Sequence, residues 1–364
     1  MRITIPQPQF LKTLQTVEHA VNDRTTLPIL ANILLESIDG ELRLTATDLD
    51  VGIQCRFPLA APAEPGAVTL PARKLTTVVR ELPNELVTLE AKKNHTATLN
   101  CGAANFRIPG LPAEDFPSLP HAEEPAGIMV SQTALKQLIT QTAHAMSMEE
   151  TRFILNGALL TAKSGRLTMV ATDGRRLAIA HTPAAGDAAL SVVVPAKTIR
   201  ELGRLLEDDE DEVVIAPLKD NQLTLRFGPV TMITRLIEGQ FPQYEKVVPT
   251  ASKQTLTCSR EGLISAVRRA SLMTTAASQA ILFDVAANRL VVSKESAELG
   301  SAREELPATR AGEAMTVAFN PEFWLDALKT LDGDEVTIEL SGPDRPAVIR
   351  QPEFLFLVLP MKVA

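Results

Sequence analysis

The sequence predicts an α+β chain made of three tandem copies of one domain. Three observations carry this: a repeat with a period of 125 positions, a proline-led amphipathic helix written three times, and short alternating strands paired about turns. Two unrelated markers set the period. Ala46-Thr47-Asp48 returns as Ala171-Thr172-Asp173 and Phe116-Pro117 as Phe241-Pro242, each 125 positions on. Leu11-Lys12-Thr13-Leu14 likewise answers to Leu135-Lys136-Gln137-Leu138, with 263–267 in the third place. A solenoid repeats every roughly 20 to 50 residues, so this period marks whole domains. They are expected at 1–124, 125–250 and 251–364, with the proline-rich stretches 109–125 and 238–249 as linkers.

The clearest helix begins at Pro195, placed at the first helical position, where a missing N–H costs nothing. Ile199, Leu202 and Leu206 form its buried stripe, and Lys197, Arg200 and Arg204 make a basic ridge on another side. The earlier copy begins at Pro71, with Leu75, Val78 and Leu82 inside and Arg73, Lys74 and Arg80 outside. In the copy at Pro321, Leu325, Leu328 and Leu331 are expected inside, while Glu322 and Asp326 offset Lys329. Each unit opens on a short strand (3–5, 127–130, 254–258) followed by a helix. A hairpin comes next: 30–37 and 41–47 about Asp39-Gly40, 158–161 and 166–171 about Ser164-Gly165, 280–285 and 289–293 about Ala287-Asn288. A second helix and a meander follow, in the first unit 85–91, 96–101 and 105–108. Each domain therefore packs two helices on antiparallel sheets.

At 45% hydrophobic residues the 364-residue chain can fill several cores, and no run approaches the roughly 18 apolar residues of a membrane span. The opening Met1-Arg2-Ile3-Thr4-Ile5-Pro6 has no signal-peptide h-region, so a cytoplasmic protein is expected. Cys55, Cys101 and Cys258 are odd in number and far apart, which points to reduced thiols and to neither a disulfide framework nor a zinc site. Phosphate-binding, nucleophile-elbow and zinc-protease motifs are absent from the sequence, and His19, His95, His121, His144 and His181 have no ligand spacing. Asp48 and Asp50 could share a strand face and hold a metal, but position 175 is Arg where the repeat would need the second carboxylate. A solvated strand end is the reading adopted. The run Glu207-Asp208-Asp209-Glu210-Asp211-Glu212 reads as a solvated loop. No cofactor or metal is indicated.

The formal charge of −8 and pI near 5.3 argue against a nucleic-acid partner until the distribution is considered: cations recur in ridges at one helical position while the remainder is acidic. Tyr244 and Trp324 are the only residues of their types, so a stacking platform for single strands is not expected. Lys and Arg on helices suit the phosphates of a duplex, bound without reading sequence.

Over its whole length the chain resembles the bacterial DNA polymerase III beta subunits, the sliding clamps. The segments that carry this are Leu27-Pro28-Ile29-Leu30, Thr47-Asp48-Leu49, Leu155-Asn156-Gly157, Ala171-Thr172-Asp173-Gly174-Arg175-Arg176-Leu177-Ala178, Val194-Pro195-Ala196-Lys197, Phe241-Pro242 with Tyr244, and Leu359-Pro360-Met361. The resemblance implies three clamp domains per chain, a head-to-tail homodimer closing a ring, and helices lining a pore around double-stranded DNA, with no chemistry of its own. It implies DNA-facing roles for Arg24, Arg73, Lys74, Arg80, Lys197, Arg200 and Arg204, and weaker ones for Arg268 and Arg269.

It also implies an apolar groove for short peptides of the polymerase alpha subunit, the clamp-loader delta subunit, and other polymerases and repair proteins. The matching positions are Leu155, Thr172, Gly174, Arg175, Arg176, Leu177, Pro242, Lys246, Val247, Asn320, Phe323, Leu357, Leu359, Pro360, Met361 and Lys362. Ring closure would set Phe106 and Arg107 on one edge against Leu272, Met273, Glu304 and Glu305 on the other, in a protein working on the nucleoid. Two other classes remain open from the residues alone. A DNA-acting enzyme should show recurring carboxylates or histidines in one cleft, and a repeat scaffold binding only protein leaves the basic ridges unexplained.

Overall fold

The structure, a computed structural model, describes residues 1–21, 25–59, 63–120, 127–186, 188–252 and 254–362. Two compact units divide it: Met1–Thr133 with Ala185–Ala188 and Arg204–Leu236, and Ala134–Ala184 with Ala189–Gly203 and Ile237–Ala364. The middle third of the sequence is thus shared between the two, because its strands enter two different sheets.

In the first unit, helix α1 (Gln7–Glu18) follows strand Arg2–Pro6 directly, with Pro8 in its first turn. Phe10, Leu14 and Val17, at i, i+4 and i+7, are completely buried. Helix α2 (Ala72–Glu81) packs on α1. Near its end the Val79 carbonyl accepts from Gln7 Nε2 at 2.7 Å, which satisfies one of the acceptors a helix terminus leaves over. α1 lies over strands Glu41–Thr47 and Val51–Pro58. These belong to an eight-stranded antiparallel sheet that runs in space from Gly66–Pro71 through Asn32–Ile38, Glu41–Thr47, Val51–Pro58, Val230–Arg235, Gln222–Phe227 and Glu212–Leu218 to Ile128–Ser131. The seam is Val51–Pro58 on Val230–Arg235, with Ile53 opposite Met232. A four-stranded sheet, Arg2–Pro6, Leu86–Ala91, Thr96–Cys101, Ala104–Pro109, completes this unit.

Helix α3 (Gln132–Thr142) and helix α4 (Ala196–Leu205) each straddle a unit boundary. Helices α5 (Arg260–Ser271) and α6 (Pro321–Leu328) lie wholly in the second unit. Its single sheet has twelve strands and repeats the seam: Arg176–Pro183 pairs with Phe354–Val358, Ala178 opposite Phe356.

The recurrent Thr-Asp pair has a mechanical reason. Asp48 Oδ1 accepts from the backbone N–H of Asp50 and Val51 at 3.1 and 2.8 Å, while Thr47 Oγ1 accepts from Leu49 N–H and donates to the Val51 carbonyl. Asp173 Oδ1 holds Arg175 and Arg176 N–H at 2.9 and 3.0 Å, and Thr172 makes the same two bonds with Gly174 and Arg176. Leu49 and Gly174 occupy the one position of this turn with positive φ. Asp48 is therefore a turn cap; neither the solvated strand end nor the metal ligand describes it.

The Asp39-Gly40 and Ser164-Gly165 hairpins have positive φ at both central residues, as type I′ turns require. The third hairpin closes instead through Ala286 N–H to the Arg289 carbonyl at 3.0 Å. Two helix expectations need correction. Pro71 caps α2 from outside and Pro195 ends its strand opposite Gly157, so their fixed φ serves the strand-to-helix corner and neither begins the helix itself. In α6 Leu328, and Leu331 just beyond it, are buried as expected, but Trp324 and Ala327 turn inward with them and Leu325 is only half-buried, because the indole takes the core position.

Trp324 packs against Phe283 and Phe319, both 5.2 Å away by ring centroid, and Phe356 at 6.4 Å. The His144 ring stands 5.8 Å from Phe356, with both nitrogens buried and unbonded. Burial first, then the Arg176 charge, lowers its pKa to about 4. The unfolded chain takes up this proton near 6.5, so the contribution to stability is whole above that pH and declines by about 1.4 kcal/mol per unit as pH falls towards 4. Urea midpoints measured between pH 7 and 5 should fall less steeply for His144→Gln than for the unsubstituted protein; parallel slopes would contradict the buried neutral ring. Asp48→Ala should lower stability by about 1–2 kcal/mol and Asp48→Asn by much less, since the amide oxygen can still accept both N–H groups.

Candidate nucleic-acid interface and partner groove

The basic ridges are set by helical period. α2 turns Leu75 and Val79 inward, which leaves Arg73, Lys74 and Arg80 exposed. α4 buries Ile199 and Leu202 and exposes Lys197, Arg200 and Arg204. Partial burial lowers the Lys197 pKa, opposed by Glu201 one turn on. Arg200 touches the Met148 sulfur. Arg268 and Arg269 of α5 are exposed, but Arg269 is paired with Glu304 at 2.6 Å. Arg24 and His121 fall outside the described residues.

The acidic run is the exposed loop expected, and its backbone also caps α3. The Asp209 carbonyl accepts from the Thr133 N–H and hydroxyl, Asp211 from Gln132 N–H, and Glu207 pairs with Lys12 at 2.9 Å. Main-chain carbonyls thus satisfy the first N–H groups of α3, which a helix start leaves over. Among the described residues no group of His, Cys, Asp and Glu is arranged to hold a metal.

Within the second unit a cavity of about 550 Å³ opens over the seam. Its lining takes Leu155, Thr172, Gly174, Arg175, Arg176, Leu177, Pro242, Lys246, Val247, Leu357 and Leu359 from the sequence expectation. The floor is the edge of a core cluster in which Leu155, Val170, Leu177, Val193, Phe241, Val348 and Leu357 are buried.

Arg176 shapes one wall. Its Nε meets Asp173 Oδ2 at 3.1 Å, Nη1 meets Asp326 Oδ2 at 2.8 Å, and the guanidinium stacks on Phe323 at 4.3 Å. Phe323 therefore supports this wall through Arg176, and neither it nor Asn320 is part of the lining. Asn320 caps α6 through Glu322 N–H at 2.9 Å. Pro360, Met361 and Lys362 also stand outside the lining: Leu359 N–H donates to the Arg175 carbonyl and Met361 N–H to Ala318, so they moor the tail.

Sequence reasoning did not single out Tyr244, Val248, Ser341, Arg345 and Pro346 as lining, nor Arg152, whose Nη1 donates to the Asp173 carbonyl at 2.6 Å. Gly174 makes room for that arginine, because a Cβ there would stand 2.7 Å from Nη1. Tyr244 could have been found from its place beside Phe241-Pro242; Ser341 to Pro346 carry no local signal.

Most sheet edges are covered by short bridges: Arg2 with Glu64, Thr69 with Leu111, Met129 with Ala185, Val193 with Ile237. Met361 covers the edge strand Met315–Phe319. Two stretches are left without such cover among the described residues. One is Ala104–Pro109 in the first unit, bearing exposed Phe106 and Arg107. The other is 300–307 in the second, where strand Gly300–Ala311 pairs with Thr255–Ser259 only beyond residue 307. Glu304 and Glu305 lie on this stretch, paired within the chain to Arg269, Arg289 and Arg303, and Leu272 is 68% exposed at the end of α5. Uncovered edges of this kind invite another strand.

Comparison with known proteins places these features. The sequence matches the family models for the DNA polymerase III beta subunit N-terminal, central and C-terminal domains over residues 1–120, 129–243 and 245–361. A beta sliding clamp of Pseudomonas putida is 33% identical over 368 residues, covering 100% of both chains. Among solved structures, a sliding clamp (DNA polymerase III subunit beta) from Pseudomonas aeruginosa bound to griselimycin has a TM-score of 0.95 at 32% identity, and the DNA polymerase sliding clamp from Bacillus subtilis 0.94 at 31%, each with 100% coverage of both chains. With three repeats of one fold, two matched seams and family matches along nearly its full length, this chain belongs to the DNA polymerase III beta subunit family, the bacterial sliding clamps.

Proposed function

We propose that two copies of this chain close head to tail, edge 104–109 of one on edge 300–307 of the other, into a ring that encircles double-stranded DNA and tethers the replicative polymerase in the cytoplasm, on the nucleoid. The observation that carries the reading is the segregation of charge: the cations of α2 and α4 stand exposed in ridges on a chain whose formal charge is −8. The two edges left uncovered supply its closure. Phosphate attraction holds the duplex without reading bases, and the ring supplies retention by topology. Domain boundaries at 1–124, 125–250 and 251–364 belong to the same reading. The groove over the second seam receives short apolar peptide segments of the polymerase alpha subunit, the clamp-loader delta subunit and repair polymerases. Arg24 joins Arg73, Lys74, Arg80, Lys197, Arg200 and Arg204 at the duplex.

Each leucine or phenylalanine seated in such a groove contributes about 1.5–3 kcal/mol. Removing residues 359–364 should weaken peptide binding about 30-fold or more in a fluorescence titration while the dimer's sedimentation stays unchanged; equal affinity would refute the groove. Reversing Arg73, Arg200 and Arg204 to glutamate should flatten the salt dependence of duplex binding, the log–log slope losing about 0.9 for each phosphate contact removed. An unchanged slope would mean that these ridges do not face DNA.

A further inference from the structure

The first seam carries a larger cleft, about 980 Å³, on the eight-stranded sheet. It is built from the same repeat parts as the groove: the two seam strands and the Phe-Pro segment, here Phe116-Pro117 in place of Phe241-Pro242. The lining positions differ: this cleft draws on Arg43, Gln54 and Arg56, whose counterparts 125 positions on, Thr168, Ile179 and His181, do not line the groove.

Arg43 and Arg56 are directly opposite on adjacent strands, a like-charge pair that destabilises a sheet unless something answers it. Among the described residues the Arg43 guanidinium reaches only Glu36, at 3.8 Å, and its Nε is buried with no partner. Arg56 bonds to Gln54 Oε1 at 2.9 Å, and the side chain of Arg226, further along the cleft, makes no hydrogen bond or ion pair among the described residues. Phe116, Leu119, Val230 and Ile233 supply apolar wall, with Leu119 packed on Gly52, where a Cβ would stand 2.5 Å from its Cδ2.

We propose that this cleft is a second docking site, for an extended peptide segment that sets a carboxylate onto Arg56 and Arg226 between apolar side chains. A guanidinium with unused donors matches a carboxylate in a forked, charge-assisted pair. The apolar wall takes side chains that a peptide carries between its charges and a sugar-phosphate backbone lacks, which selects peptide over nucleic acid. The site is independent of the apolar groove, so the chain can hold two partners of different chemistry.

The test uses the full chain, fluorescence anisotropy and three probes: a short labelled peptide of alternating leucine and glutamate, its glutamine counterpart, and a single-stranded oligonucleotide. The glutamate peptide should bind, and should bind tenfold or more weakly to Arg56→Gln/Arg226→Gln. The variant lacking residues 359–364 should bind it unchanged, which separates this cleft from the groove. Arg56→Lys/Arg226→Lys should give intermediate affinity, and it serves as the informative variant if the glutamine pair does not fold. Equal binding of the glutamine peptide, preference for the oligonucleotide, loss on removing 359–364, or indifference to both arginine variants would each overturn the proposal.

Discussion

Backbone hydrogen bonding at strand edges is the constraint on which the rest depends. A sheet of short strands leaves a row of donors and acceptors at each side, and this chain answers most of them internally. Val51–Pro58 accepts Val230–Arg235 and Arg176–Pro183 accepts Phe354–Val358, so neighbouring repeats are joined by main-chain pairing. Loops and the C-terminal tail bridge other edges. What is left over, Ala104–Pro109 and 300–307, has the character of an unfinished ladder.

The same seams create the sites. Where a strand of one repeat meets a strand of another, residues of both strands and of the Phe-Pro segment line a cavity. In the second unit that cavity is apolar and walled by Arg176, whose charge is spent on Asp173 and Asp326. A ring held by topology has no need of tight contacts at its pore. A base-specific bidentate contact is worth about 1–3 kcal/mol, and each kcal/mol of roughness along the duplex would slow sliding about fivefold, whereas diffuse phosphate attraction adds little roughness. Exposed lysines and arginines on long flexible stems meet that requirement.

Much of this was legible in the sequence because repetition displays mechanism. Thr47-Asp48 and Thr172-Asp173 recur because one turn needs two side-chain acceptors at fixed spacing, and the helix stripes follow the 3.6-residue period. The groove was legible through Leu155, Thr172 to Leu177 and Leu357, which lie in repeated or terminal segments. The stacking of Phe323 on Arg176 and the capping of α6 by Asn320 show only in three dimensions, since a motif cannot say what a neighbour touches. The pairing of the seam strands escaped notice because contacts between repeats are non-local and leave no periodic mark. The Arg43 and Arg56 pair shows only once register is known.

The most direct measurement of the central claim is release on cutting. Protein loaded onto a nicked circular duplex by its clamp-loading ATPase is followed by gel filtration before and after a restriction enzyme linearises the circle. Topological linkage predicts stable co-elution with the circle and loss from the linear form at unchanged salt. Equal retention on both would mean that ordinary surface affinity holds the protein to DNA, and the ring would have to be abandoned.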